Sequence, residues 1–270
     1  MPAVQNLKKH LRGIRSTKKL TKAMKTVSTV KFSKLNSIYS NYSSYSKECQ
    51  TLLQRYGKEL LKLLGEEDLF APEAFVVIAA NKGMCGSFNA ELLAFAKKLI
   101  DDNPNHLVIA CGKRAINYFN AKNVPTFKEY IFDDIPNYHE SNTLLRDLVE
   151  LRKSGEISKV HIIYQKYVNM MQQKPTMFEL FSVDEEMSFD NSLVIPDVET
   201  IIAKTASNVF SSILYEMVLE TAIGAQAATL MTMRKAYDTA SEKCDELEAT
   251  INRLRQSAVT ADVIETAEHY

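Results

Sequence analysis

The residues best suited to chemistry in this chain are four cysteines, five histidines and a dense run of lysines. Cys85 stands in the turn ANKGMCGSFN, residues 80–89, between an apolar stretch and an amphipathic one. A thiol beside a helix N-terminus has a lowered pKa and can act as a nucleophile. Here no local His or acidic residue completes a nucleophile system. The turn also lacks the GxGxxG and GxxxxGK[ST] patterns that cradle dinucleotides and phosphates. Gly83 and Gly86 therefore read as formers of a tight structural turn, with Ser87 or Asn89 capping the next helix. Cys49, Cys85, Cys111 and Cys244 are too widely spaced for a metal site and form no CxxC pair, so they read as reduced thiols. His10, His106, His139, His161 and His269 are scattered, with no HExxH. No catalytic residue, metal site or cofactor is expected.

The lysines carry the stronger signal. Residues 1–35 hold ten Lys or Arg and no Asp or Glu, in a chain whose net charge is +0. The core of this region is IRSTKKLTKAMKTVSTVKFSKL, residues 14–35. Three readings compete: a cleaved targeting peptide, a grip on nucleic-acid phosphates, or one strand of a structure that meets an acidic partner. Helical patterning runs unbroken through Leu35, which argues against a transit peptide. No apolar run approaches the ~20 residues needed to cross a bilayer, so any work at a membrane requires other subunits to hold the chain there.

The elements that position these residues follow from the prolines. Six of the seven lie between Pro72 and Pro196, and the other is Pro2. A proline in a helix interior costs about 3 kcal/mol. Two long proline-free ends around a punctuated middle predict two long helices flanking a mixed domain. Apolar spacing agrees. Val4, Leu7, Leu11, Ile14, Thr17, Leu20, Met24, Val27 and Val30 recur at steps of three or four, and after a phase shift the line resumes from Leu35 to Tyr56. A second line runs from Ile223 through Ala227, Leu230, Met233, Tyr237, Ala240, Cys244, Leu247 and Ile251 to Ala258. This is a coiled-coil period. Each helix would be on the order of 90–110 Å long and would protrude from any small core. A compact middle domain makes the two antiparallel. From Asp238 onward eight acidic residues face three basic ones, so the helices are of opposite sign.

Between them, AFVVIAAN, HLVIACG, TFKEYIF, KVHIIYQKYVN and TMFELFSV read as strands. NAELLAFAKKLIDD, KRAINYFNAKN and ESNTLLRDLVELRKSG read as helices. The alternation predicts a partly parallel, Rossmann-like α/β domain. The expected division is 1–66 and 197–270 as paired coiled-coil helices, with 72–196 as the α/β domain.

Four segments, KKLTKAMKTVSTVKF, NKGMCGSFN, KYVNMMQQKPTMFEL and INRLRQSAVTADVIE, occur in the order and spacing of the gamma subunit of F-type ATP synthase. The resemblance covers essentially the whole chain. It implies an antiparallel coiled coil on an α/β base, acting as a central rotor without an active site. The implied partners are the alpha and beta subunits of the alpha3beta3 hexamer, the epsilon subunit and the c-ring. The implied location is peripheral, on the cytoplasmic face of a bacterial cell membrane. Ion flow, of protons or sodium ions, would turn the ring and the shaft would drive ATP synthesis or hydrolysis at beta. By resemblance, Lys18, Lys22, Met24 and Lys25 are candidate rotor–stator contacts, as are Arg255, Gln256, Thr260 and Asp262. Asp262 stands where many relatives have Glu. Met24 is expected to pack beside Gln256 and Thr260.

Three departures stand out. Ala225 and Thr229 replace the usual Glu and Arg of the C-terminal helix, and Lys82 replaces a frequent Arg. The chain stops soon after Glu265, which predicts a short tip. No insertion of the chloroplast kind is present, which argues against thiol switching. Two other classes remain open from sequence: a basic coiled-coil protein that binds nucleic acid, and a small-molecule enzyme built on the α/β domain.

Overall fold

The computed structural model describes residues 2–62, 70–182 and 198–268. Helix α1 spans Pro2–Lys62, with Tyr56 leaving helical geometry at φ −119 and ψ 21. Then follow β1 (Glu73–Ile78), α2 (Phe88–Asp102), β2 (His106–Cys111), α3 (Lys113–Ala121), β3 (Lys128–Tyr130), α4 (Tyr138–Lys153), β4 (Val160–Asn169) and β5 (Gln172–Glu179). Helix α5 spans Val198–Glu268. The expected domain limits at residue 66 and at 196–197 fall outside the described residues. The chain forms two compact units, residues 1–30 with 229–270, and residues 31–228.

In the unit of residues 31–228 the sheet runs β3-β2-β1-β4-β5. β1 pairs parallel with β2 and β4, and β2 with β3. Only β5 is antiparallel, against β4. β1 is buried on both faces, as a central parallel strand requires. Phe75 and Val77 pack with Leu92, Ala96 and Ile100 of α2 and Phe119 of α3. Ala74, Val76 and Ile78 face the opposite layer, with Leu144, Leu145 and Leu148 of α4, Leu53 and Leu60 of α1, and Phe210 and Leu214 of α5. The sheet is therefore sandwiched between helices on both sides.

Two strands differ from the sequence reading. β3 keeps only Lys128–Tyr130 of TFKEYIF; it lies at a sheet edge, and Phe127 and Ile131 beside it are exposed. β5 begins at Gln172, ahead of the predicted start, because Asn169↔Gln172 closes a tight hairpin onto β4. Pro175 suggests an interruption, yet an edge strand tolerates proline. Helix α4 starts at a capping box: the Asn137 side chain accepts from the Glu140 N–H, and Glu140 accepts from the Asn137 N–H.

Helices α1 and α5 pair antiparallel within this unit. Leu35 meets Tyr215, Leu219 and Ile223. The Tyr39 hydroxyl donates to Glu220, and Ser46 and Gln50 both donate to Glu216. In the unit of residues 1–30 and 229–270, Leu11 packs with Cys244 and Ile251, supported by Val4, Leu7, Ile14 and Leu247. The direction is again antiparallel: Arg15 pairs with Glu248 while Lys18 reaches Ser241.

Candidate functional site

Most of the basic stretch belongs to the unit of residues 1–30 and 229–270, and past Ile14 its phase departs from the apolar line read in the sequence. Among the described residues of this unit, the buried positions of α1 are Leu11, Thr21 and Ser28; Leu20, Val27 and Val30 are 58%, 55% and 65% exposed. The true line follows strict heptads through Leu7, Ile14, Thr21 and Ser28, and its companion line runs Val4, Leu11, Lys18 and Lys25. Between residues 18 and 28 polar side chains therefore occupy the seam. The Thr21 hydroxyl turns back to the carbonyls of Thr17 and Lys18, which satisfies it where it is buried. On α5 the phase is as read: Met233, Ala240, Cys244 and Ile251 are buried, and Leu254 is exposed.

Lys18 and Lys25 reach the seam by sharing one aromatic ring. Their ammonium groups lie 5.5 and 5.8 Å from the centroid of Tyr237. Lys18 Nζ also donates to Ser241 Oγ at 2.8 Å. A ring face is attractive to cations, and partial desolvation strengthens the contact. Arg15 Nη2 donates to Glu248 Oε1 at 2.8 Å, with both side chains about half exposed. Lys19 and Lys22 point to solvent. So the basic stretch divides: Lys18 and Lys25 hold α5, while Lys19 and Lys22 are free to meet something else.

This register separates Met24 from the C-terminal motif. Lys25 lies over Tyr237, so the half-buried Met24 is at Tyr237's level, 19 residues from Gln256. At 1.5 Å per residue that is about 28 Å along the helix. The expectation that Met24 packs beside Gln256 and Thr260 is corrected. It assumed that two motifs of one contact surface must share a level. Arg255, Gln256 and Thr260 are exposed, and the Thr260 hydroxyl bonds back to the Gln256 carbonyl. The side chain of Asp262 lies outside the described residues.

The turn after β1, in the unit of residues 31–228, lies at the carboxyl ends of the strands, where the sheet order reverses between β1 and its neighbours β2 and β4. Ligands bind there in open α/β sheets. In this chain the place is filled by its own side chains. Asn89 Oδ1 accepts from the Ala80 N–H, and its Nδ2 donates to the Lys82 carbonyl and to Cys85 Sγ. Asn89 thus staples the turn instead of capping α2, and Ser87, at the N-cap, makes no side-chain cap. Asn81 donates to the Phe132 carbonyl at 2.5 Å and accepts from the Lys113 N–H. Lys82 and Lys31 both bind Asp134 Oδ2. Within this turn Met84 and Gly86 take positive φ, at 64° and 61°. Gly83 serves another purpose: a Cβ there would meet the Arg114 guanidinium at 2.0 Å.

Cys85 is buried, and burial pushes its thiol above the ordinary range. The lowered pKa that its place before a helix suggested is overturned, because desolvation of the thiolate outweighs its hydrogen bonds. With Phe88 it packs on Ala225. Gly224 lies so close that a Cβ would meet Phe88 at 3.0 Å and Gln173 at 3.1 Å. The departure at Ala225 thus has a local reason: a Glu there would be driven into a pocket of Cys85, Phe88 and Ala228. Sequence reading missed Tyr237, Asp134 and Asn89 as site residues. Tyr237 and Asp134 act on distant segments, while Asn89 acts within its own turn, where its place suggested a helix cap.

Comparison with known proteins agrees with this architecture. The ATP synthase family model matches residues 3–267. The ATP synthase gamma chain of Desulfitobacterium hafniense is 23% identical over 272 residues, 98% of this chain and 97% of that one. The gamma chain of Rhodopirellula baltica is 27% identical over 220 residues, 75% of this chain and 74% of its own. In fold, the chain resembles one from the rotor of Euglena gracilis mitochondrial ATP synthase, at 16% identity and a TM-score of 0.67, covering 96% of this chain and 99% of that one. It also resembles one from the central stalk and c-ring of the Tetrahymena thermophila enzyme, at 17% identity and a TM-score of 0.58, covering 80% and 99%. With the family model spanning all but the extreme ends, the chain belongs to the gamma-subunit family of F-type ATP synthase.

Proposed function

We propose that this chain is the turning shaft of the synthase, coupling ion-driven rotation of a membrane c-ring to ATP synthesis or hydrolysis at the beta subunits. The observation that carries the reading is the antiparallel pairing of residues 1–30 with 229–270, with a row of solvent-facing lysines, in a chain matched to the family over residues 3–267. The partners are the alpha and beta subunits, epsilon and the c-ring. The chain itself is a mechanical part and not the catalyst. No helix among the described residues is long and apolar enough to cross a membrane, so attachment at the cytoplasmic face of a bacterial membrane runs through the other subunits. Lys19 and Lys22 suit a contact that must push and then release, since exposed ion pairs are worth roughly 0–1 kcal/mol each.

The family match displaces the nucleic-acid reading of the basic stretch. Affinity capture of the tagged chain from native membranes tests the proposal. Alpha, beta and epsilon should co-purify in a complex whose ATP hydrolysis is coupled to ion pumping. Recovery of the chain without any of them would overturn the reading.

A further inference from the structure

Glu216 and Glu220 lie one turn apart on α5 and are 9% and 6% exposed. Residues four apart share a helix face. Around them the donors are neutral. From α1, Ser46 donates to Glu216 Oε2 at 2.6 Å, Gln50 to the same oxygen at 2.9 Å, and Tyr39 to Glu220 Oε1 at 2.8 Å. From β4, Tyr164, itself buried, and Tyr167 border Glu220. Lys166 on β4 is the cation that acts on Glu220, and it stays in solvent. Two carboxylates side by side in a low-dielectric site, served by neutral donors, cannot both ionise cheaply.

We propose that Glu220, buried beside Glu216, holds a proton in the folded protein, and that its loss loosens the pairing of α1 with α5 across this cluster, making a proton-operated latch. Glu220 keeps the proton, while Tyr39 binds Glu220 and Ser46 and Gln50 bind Glu216, drawing α1 onto α5. When the proton leaves, the Tyr39 bond strengthens, but the desolvated charge of Glu220 and its repulsion by Glu216 one turn away outweigh that gain. Burial, reinforced by the charge of Glu216 and opposed by the Tyr39 hydrogen bond, pushes the Glu220 carboxyl from 4.5 up to about 7. A raised folded-state pKa means that the latch stabilises fully below about pH 4.5 and is lost as pH rises through about 7. Tyr39 and Tyr164 stay neutral throughout, since burial raises both.

The test is a carbon-detected NMR titration of glutamate side chains in the full chain, with amide exchange measured at pH 6 and 8. One glutamate carboxyl should titrate near pH 7 and vanish in Glu220→Gln. After correction for intrinsic exchange, amides of residues 39–50 and 212–220 should exchange faster at pH 8 than at pH 6, by up to about tenfold in all, and Glu220→Gln should flatten that dependence. The proposal falls if every glutamate titrates below pH 5.5, or if wild type and Glu220→Gln show equal pH dependence. Should Glu220→Gln not fold, the wild-type midpoint decides alone, and Tyr39→Phe should move it upward.

Discussion

Tyr237 presents one ring to two ammonium groups, and a single substitution there removes both contacts. Each contact is worth about 0.5–1 kcal/mol at a partly exposed site. A double-mutant cycle of Tyr237→Leu with Lys25→Met, read from urea unfolding, should give a coupling of about that size. A coupling of zero would mean that the lysines merely border the ring. Asp134 poses a second residue-scale question, because it binds Lys31 and Lys82 together. Burial alone would raise its carboxyl, but the two lysines outweigh burial and hold it below the ordinary range. The sign follows: its contribution is present above about pH 4, the ordinary carboxylate value, and is lost as pH falls through the depressed folded value. Asp134→Asn should lower the urea midpoint at pH 7, and the difference should shrink in acid.

Among the elements, α5 does two different jobs along its length. At Gly224 and Ala225 it approaches the turn after β1 closely enough for Phe88 to lie against it. Restoring the family's common acid, Ala225→Glu, forces a carboxyl among Cys85, Phe88 and Ala228. It should destabilise the protein by more than about 2 kcal/mol in urea unfolding. Helix α1 instead carries a polar stretch in its seam at Thr21 and Ser28, both 6% exposed. Thr21→Val keeps the shape and deletes a hydroxyl that only bonds its own helix. It should stabilise by up to about 1 kcal/mol. A loss instead would show that the hydroxyl serves the pairing with α5.

For the whole molecule, the division of the lysines separates holding from pushing. Charge reversal at the exposed Lys19 and Lys22 should lower coupled ATP synthesis in reconstituted membranes while leaving the unfolding free energy within about 0.5 kcal/mol. Reversal at Lys18 and Lys25 should lower both, because it also removes the grip on Tyr237 and Ser241. Equal behaviour of the two pairs would remove the distinction. Much of this architecture was legible in the amino-acid sequence because its signals are local. Proline-free ends, the three-to-four spacing from Met233 to Ile251 and apolar runs such as AFVVIAAN report backbone preferences within a few residues of themselves. The phase of α1 between Ile14 and Leu35 was not legible. Leu20, Val27 and Val30 look like a seam, yet Thr21 and Ser28 are buried in their place, since the partner helix decides which face is covered. The same holds for the turn after β1. Its glycines announced a turn, but only the tertiary structure brought Lys82 to Asp134 and Ala225 to Cys85, contacts between segments far apart in the chain whose geometry no local preference encodes.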